Sequence, residues 1–262
     1  MFALALLHVA FKSAIMGMEM RMDVILPEQA RGQIGMESKS AATCPTLYLL
    51  HGMSDDHTIW QRRTSIERYA AAYGIAVVMP STHLGWYTDM HLGDKYFTYL
   101  TQELPAVCRD LFPQLSPRKE DTFAAGLSMG GYGALKCALR APDVFCCAAS
   151  LSGAADIIAE LNADSSTYWT DIFGPADQAK GSFNDLFAAA EELPLSQRPP
   201  LYLWCGTEDF LLEANRRFRD HLTKLGYDFI YEESPGNHSW PYWDDKIQRV
   251  LEWLPIRGKE EK

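Results

Sequence analysis

The chain has 262 residues, 47% hydrophobic and 12% aromatic, with 24 Lys+Arg against 34 Asp+Glu and a net charge of −10. These totals suit one α/β domain that buries roughly 75% of the surface its unfolded chain exposes. The acidic balance argues against nucleic acid and anionic membrane surfaces as partners, because both would repel it.

The apolar N-terminus, M-F-A-L-A-L-L-H-V-A-F-K, lacks the basic start and small-residue cleavage site of a signal peptide. It reads as a strand paired across Gly17 with a second strand that alternates at Met18, Met20, Met22 and Val24. Residues 28–45 are polar and form a surface loop. Thr46 to Leu50 is a short apolar run of the kind a buried parallel strand needs. After His51-Gly52-Met53 the pattern predicts a helix over Ile59 to Tyr73 and a strand from Ile75 to Met79, stopped by Pro80. A loop holds Gly85-Trp86-Tyr87-Thr88, and a helix over Tyr96 to Asp110 is kinked or restarted by Pro105. Asp121 to Leu135 reads strand, sharp turn, helix, ending at Ala141-Pro142, and Cys146 to Leu151 is a further strand.

Residues 153–198 carry no strong strand signal and read as an excursion over the active-site face, with a helical patch near Leu186 to Glu192. A separate domain would need a larger core and clearer linkers, so 1–262 is taken as a single domain. Leu201 to Cys205 is a strand and Glu213 to Leu225 a helix closed by Gly226. Tyr227 to Glu232 is the last strand, Tyr242 to Leu254 the last helix, and the charged tail from Arg257 is frayed. Strands alternating with helices call for a mostly parallel sheet covered on both faces. No apolar run of about 18 residues predicts a membrane span. The six cysteines (44, 108, 137, 146, 147 and 205) form no C-x-x-C pair and read as small buried thiols of a reducing, cytoplasmic compartment.

The chemistry centres on Gly126-Leu127-Ser128-Met129-Gly130, a G-x-S-x-G between strand and helix. The turn lifts the Ser128 hydroxyl above the carboxyl end of the sheet, and the glycines let strand and helix approach without a Cβ clash. A serine hydroxyl needs a base to take its proton. Downstream of Ser128 stand only His221, inside a helix where a solvated surface role fits, and His238, in the loop before the last helix. His238 is the expected base. The orienting acid should follow the penultimate strand, where Glu208 and Asp209 compete; Asp209 is preferred, Asp156 lies one strand early, and Asp244 and Asp245 suit the dipole of the last helix. The backbone N–H groups of Met53 and Met129 are placed to form an oxyanion hole. His51 reads as a supporting residue, and solvated loop roles account for Asp55, Asp56 and His57 better than a metal site does.

Taken together, Leu49-Leu50-His51-Gly52-Met53, Gly85-Trp86-Tyr87-Thr88, Tyr99 with Glu103-Leu104-Pro105, Gly126 to Ala134, Gly206-Thr207-Glu208-Asp209-Phe210 and His238-Ser239-Trp240 resemble the esterase D-like branch of the α/β-hydrolases, near the tributyrin-type carboxylesterases. The resemblance spans most of the chain. It implies an α/β-hydrolase fold and carboxylic ester hydrolysis with Ser128, Asp209 and His238 as triad and the Met53 and Met129 amides as oxyanion donors. Such relatives include S-formylglutathione hydrolases, feruloyl and acetylxylan esterases and mycolyltransferases, so the acyl group stays open.

Trp86, Tyr87, Trp240 and Trp169 are expected to rim a pocket for short acyl or small aryl esters. The partner is therefore a small-molecule ester. The glycines around Ser128 do not follow the spacing of a dinucleotide site, and no cofactor is expected. The sequence leaves monomer and homo-oligomer open.

Overall fold

The computed structural model describes residues 5–27, 43–164 and 166–257. Most of the expected loop over 28–45, the first four residues and the tail beyond 257 lie outside them.

In chain order the elements are β1 (Ala5–Lys12), β2 (Glu19–Leu26), β3 (Thr46–Leu50), α1 (Ile59–Arg63), α2 (Ile66–Tyr73), β4 (Ala76–Pro80) and α3 (Tyr96–Thr98). A π-helical turn (Tyr99–Glu103), α4 (Leu104–Leu111), β5 (Thr122–Leu127), α5 (Met129–Arg140) and β6 (Cys147–Leu151) follow. Then come α6 (Ile157–Ala163), α7 (Thr167–Phe173), α8 (Ala176–Ala179), α9 (Leu186–Glu192), β7 (Leu201–Gly206), α10 (Leu212–Leu225), β8 (Phe229–Ser234) and α11 (Trp240–Trp253).

The eight strands form one sheet in the order β1-β2-β4-β3-β5-β6-β7-β8. β2 pairs antiparallel with β1 and β4, and every other pairing is parallel. Burial follows position. β3, β4, β5, β6 and β7 are buried along their whole length, which is why they read as unbroken apolar runs. β1, on an edge, alternates between half-buried and exposed residues. Alternate side chains divide between two cores: Tyr48 and Leu50 face Tyr132, Leu135 and Phe218 of α5 and α10, while Leu47 and Leu49 face Trp60, Ile66, Ile247 and Leu251 of α1, α2 and α11.

Two expected helices depart from regularity for local reasons. The one over 59–73 splits at Thr64, whose extended backbone lets its hydroxyl donate to the Trp60 carbonyl (2.6 Å) and accept from the Ile66 amide (3.1 Å). The one over 96–110 passes through the π-helical turn just before Pro105, a residue with no amide to donate to the preceding turn. Glu103, at the end of that turn, accepts from the Ala14 amide (2.6 Å) and from the Ser13 hydroxyl, pinning the β1–β2 turn.

Candidate active site

β5 and α5 meet at Ser128, whose φ of 54° and ψ of −119° are unfavourable for a residue with a Cβ, a strain of order 1–3 kcal/mol. The surroundings hold it there. The Ser128 amide donates to the Leu151 carbonyl (3.0 Å), and the Ser128 carbonyl accepts from Tyr132 (3.1 Å) and Ala154 (3.2 Å). A Cβ on Gly126 would overlap the Gly130 carbonyl, and one on Gly130 would lie 2.6 Å from the His51 carbonyl oxygen. The serine turn and the loop after β3 are thus pressed together as only glycines permit.

His238, in the loop between β8 and α11, places Nε2 3.0 Å from Ser128 Oγ. Its Nδ1 lies 2.9 Å and 3.1 Å from the two carboxylate oxygens of Asp209, in the turn after β7. The Asp209 side chain has no exposed surface. Burial pushes its carboxyl up, but hydrogen bonds from His238, the Leu211 amide and Ser152 together outweigh that and hold it below its ordinary value. An ionised carboxylate only accepts, so His238 carries its proton on Nδ1 and offers the Nε2 lone pair to Ser128.

Glu208, the sequence's competing acid, turns the other way. Its Oε2 accepts from the Gly236 amide (2.5 Å), and its amide donates to the Gly236 carbonyl (2.9 Å). It ties down the loop that carries His238. Asp156 caps α6 through the Ala159 amide (3.0 Å) and pairs with Arg217 (2.8 Å). Asp244 bridges α11 to the Tyr69 hydroxyl (3.0 Å), and Asp245 lies 3.8 Å from Lys246. His221 is not a solvated residue: its Nε2 lies 3.1 Å from the Phe187 carbonyl of α9.

The loop after β3 runs beside the serine; a Cβ on Gly52 would fall 3.7 Å from Ser128 Cβ. His51 anchors this loop. Its Nδ1 donates to the Gly52 carbonyl (2.7 Å), its Nε2 accepts from the Thr82 amide (3.1 Å), and burial pushes the imidazole down to about 4, so it stays neutral. Asp56 accepts from the Thr58 amide and hydroxyl. Among the described residues no group of three His, Cys, Asp or Glu side chains is arranged to hold a metal ion. Met53 follows Gly52 with its side chain exposed, and Met129 opens α5 with its side chain fully buried.

The expected aromatic rim is corrected at Trp86, Tyr87 and Trp169. Tyr87 has no exposed surface and donates to the His51 carbonyl (2.8 Å). Trp86, 3% exposed, donates to the Tyr168 hydroxyl (2.7 Å) and packs on Trp169, Phe173 and Tyr132. Both residues have positive φ, 49° and 50°, and both rings point inward, Trp86 onto α5 and α7 and Tyr87 against Gly133 of α5. Trp169 is buried in the same cluster. Trp240 is half-buried, packed edge-on against Trp60 and Trp243.

Two residues went unrecognised in the sequence. Ser152, at a positive φ of 50° after β6, shares in fixing Asp209 and accepts from Trp243 Nε1 (3.2 Å). A lone serine after an apolar strand carries little signal. Phe210 is 76% exposed, with its ring centroid 4.5 Å from that of His238; its place beside Asp209 was the available clue.

Comparison with known proteins finds relatives over nearly the whole chain. The chain is 31% identical over 262 residues to the acetyl esterase of Caldicellulosiruptor saccharolyticus, covering 96% of this chain and 98% of that protein. It is similar to the substrate-bound structure of FphF, fluorophosphonate-binding serine hydrolase F of Staphylococcus aureus, at 32% identity and a TM-score of 0.86, covering 96% and 98% of the two chains. The S-formylglutathione hydrolase FrmB of the same organism is 33% identical with a TM-score of 0.83 and the same coverage. Residues 13–254 match the family described as "Putative esterase". The chain belongs to that family: it is a serine hydrolase of small esters that works through an acyl-enzyme on an α/β-hydrolase fold.

Proposed function

We propose that Ser128 is the nucleophile, His238 the general base and acid, and Asp209 the group that orients and stabilises His238. The observation that carries this is the unbroken chain of contacts from Ser128 Oγ to His238 Nε2 (3.0 Å) and from His238 Nδ1 to the buried Asp209 carboxylate (2.9 Å). Ser128 Oγ bonds to the ester carbonyl carbon as its proton passes to His238 Nε2. The amides of Met53 and Met129 receive the negative charge that develops on the carbonyl oxygen; a lost donor of this kind typically costs about 2.7–4 kcal/mol. Collapse breaks the bond to the alcohol oxygen, which takes the proton from His238. Water, deprotonated by His238, then releases the acid and regenerates Ser128.

The acyl group is short, acetyl-sized. The support is the relative named an acetyl esterase, not the aromatic rim, of which Trp86, Tyr87 and Trp169 are buried. The motifs from Leu49-Leu50-His51-Gly52 to His238-Ser239-Trp240 support the esterase D-like branch. Residues 153–198 belong to the same domain; Tyr132 of α5 donates to the Asn184 carbonyl (2.8 Å), and Trp86 binds Tyr168. Five of the six cysteines are buried, which fits the small thiols of a reducing, cytoplasmic location. A second reading, a thioesterase acting on S-formylglutathione, has the similarity to FrmB in its favour.

The test is hydrolysis of p-nitrophenyl esters from acetate to palmitate, alongside S-formylglutathione, by wild type and Ser128→Ala. Wild type should prefer acetate to butyrate lengths, and Ser128→Ala should lose both turnover and fluorophosphonate labelling. Faster turnover of palmitate would refute the short acyl pocket. A much higher kcat/KM on S-formylglutathione than on every oxygen ester would favour the second reading.

A further inference from the structure

Two aromatic rings of opposite exposure lie against His238. Trp243, buried in the core, meets its ring edge-on with centroids 4.9 Å apart. Phe210 also lies tilted against it, at 4.5 Å and 48°. Phe210 stands between Asp209 and Leu211, both buried, yet is itself 76% exposed. The Leu211 amide is held by Asp209 Oδ1 (2.9 Å), so the turn that seats the acid also presents the phenyl ring outward. A single exposed apolar residue is ordinary. This one touches the imidazole that hands its proton to the departing alcohol.

When the tetrahedral intermediate collapses, the alcohol oxygen lies within hydrogen-bond reach of His238 Nε2. Whatever that oxygen carries extends past the imidazole, and of the two rings that touch it Trp243 is buried in the core. Phe210 is the one exposed to solvent and to a ligand. We infer that Phe210 is a specificity-determining residue: its ring is the platform for the alcohol part of the ester, selecting aryl or pyranosyl alcohols, which offer a ring face, over small acyclic ones. This rests on the assignment of Ser128 and His238 above and adds the leaving-group side to it. Stacking of one ring on another contributes enough to change kcat/KM by about five- to tenfold.

The experiment keeps the acyl group fixed and varies the alcohol: phenyl acetate, an acetylated pyranoside and ethyl acetate, with wild type, Phe210→Ala and Phe210→Tyr. Comparing each variant with wild type on the same ester cancels the intrinsic reactivity of the alcohol. Phe210→Ala should lose about five- to tenfold more kcat/KM on a ring ester than on ethyl acetate, and Phe210→Tyr should restore it. Because all three esters give the same acetyl-enzyme, the loss belongs in acylation and not in acetate release. Loss on the aryl arm alone, or on the sugar arm alone, supports the platform and names its occupant. An equal loss on all three esters would mean that Phe210 only shields the His238–Asp209 pair, and no loss on any would mean it does nothing; either overturns the inference. Fluorophosphonate labelling that persisted in Ser128→Ala would instead overturn the triad beneath it.

Discussion

Asp209 and Glu208 are adjacent carboxylates with opposite surroundings, and the difference sets what each can do. Asp209 is buried, accepts from His238, Leu211 and Ser152, and stays ionised below the ordinary carboxylate range. Its folded value is depressed, so these contacts stabilise the fold above the unfolded carboxylate value and are lost as pH falls through the folded one. Asp209→Asn keeps the shape but can present an amide donor to His238, which would force the wrong tautomer. A loss in kcat of about 10³- to 10⁴-fold on p-nitrophenyl acetate is expected, with a lower melting temperature at neutral pH because the stabilising charge is gone. Retention of most of the activity would place the orienting role elsewhere.

At the scale of elements, the serine turn is fixed by two backbones in contact. Gly126 of β5 faces the Gly130 carbonyl, and Gly130 in turn faces the carbonyls of Leu50 and His51 at the end of β3. An added methyl at 126 has only main chain to displace. Gly126→Ala should therefore cost about 3 kcal/mol or more, a fall in melting temperature of roughly 6–12 °C. A thermal melt unchanged from wild type would mean the turn can relax. This close approach was legible in advance, because G-x-S-x-G after an apolar strand encodes it in residue type. So were the central strands, whose burial on both faces leaves an unbroken apolar run. The short helices α6, α7 and α8, of four to seven residues, were not; they lack the length for a periodic pattern and are held by tertiary contacts. Trp86 and Tyr87 were misread for a related reason. Aromatics beside a loop glycine look like a pocket rim, and only their positive φ reveals that they turn inward.

Across the whole molecule, one cation ties the serine helix to two loops. Lys136 of α5 has no exposed surface; its Nζ donates to Thr88, in the loop before α3, and to Asn184 Oδ1 (2.6 Å), ahead of α9. The rings of Phe97, Tyr132 and Phe183 surround it at 4.9–5.6 Å. Burial pushes the ammonium from 10.5 down to about 7; Asp89 and Cys137 oppose that shift and Arg140 reinforces it. In so acidic a chain this is a cation most of whose charge is given up on folding at alkaline pH. The unfolded chain binds the proton more tightly, so this group's penalty is absent above pH 10.5 and fully imposed once pH has fallen to about 7. Between those limits stability should climb by up to about 1.4 kcal/mol per pH unit from Lys136 alone. Lys136→Met removes the titration while keeping the chain volume among the rings. Urea unfolding of both proteins at several pH values from 7.5 to 9.5 should show the wild-type stability rising relative to the variant by about that slope. Parallel pH profiles would mean that Lys136 keeps its charge, held by Thr88, Asn184 and the aromatic faces strongly enough to offset burial.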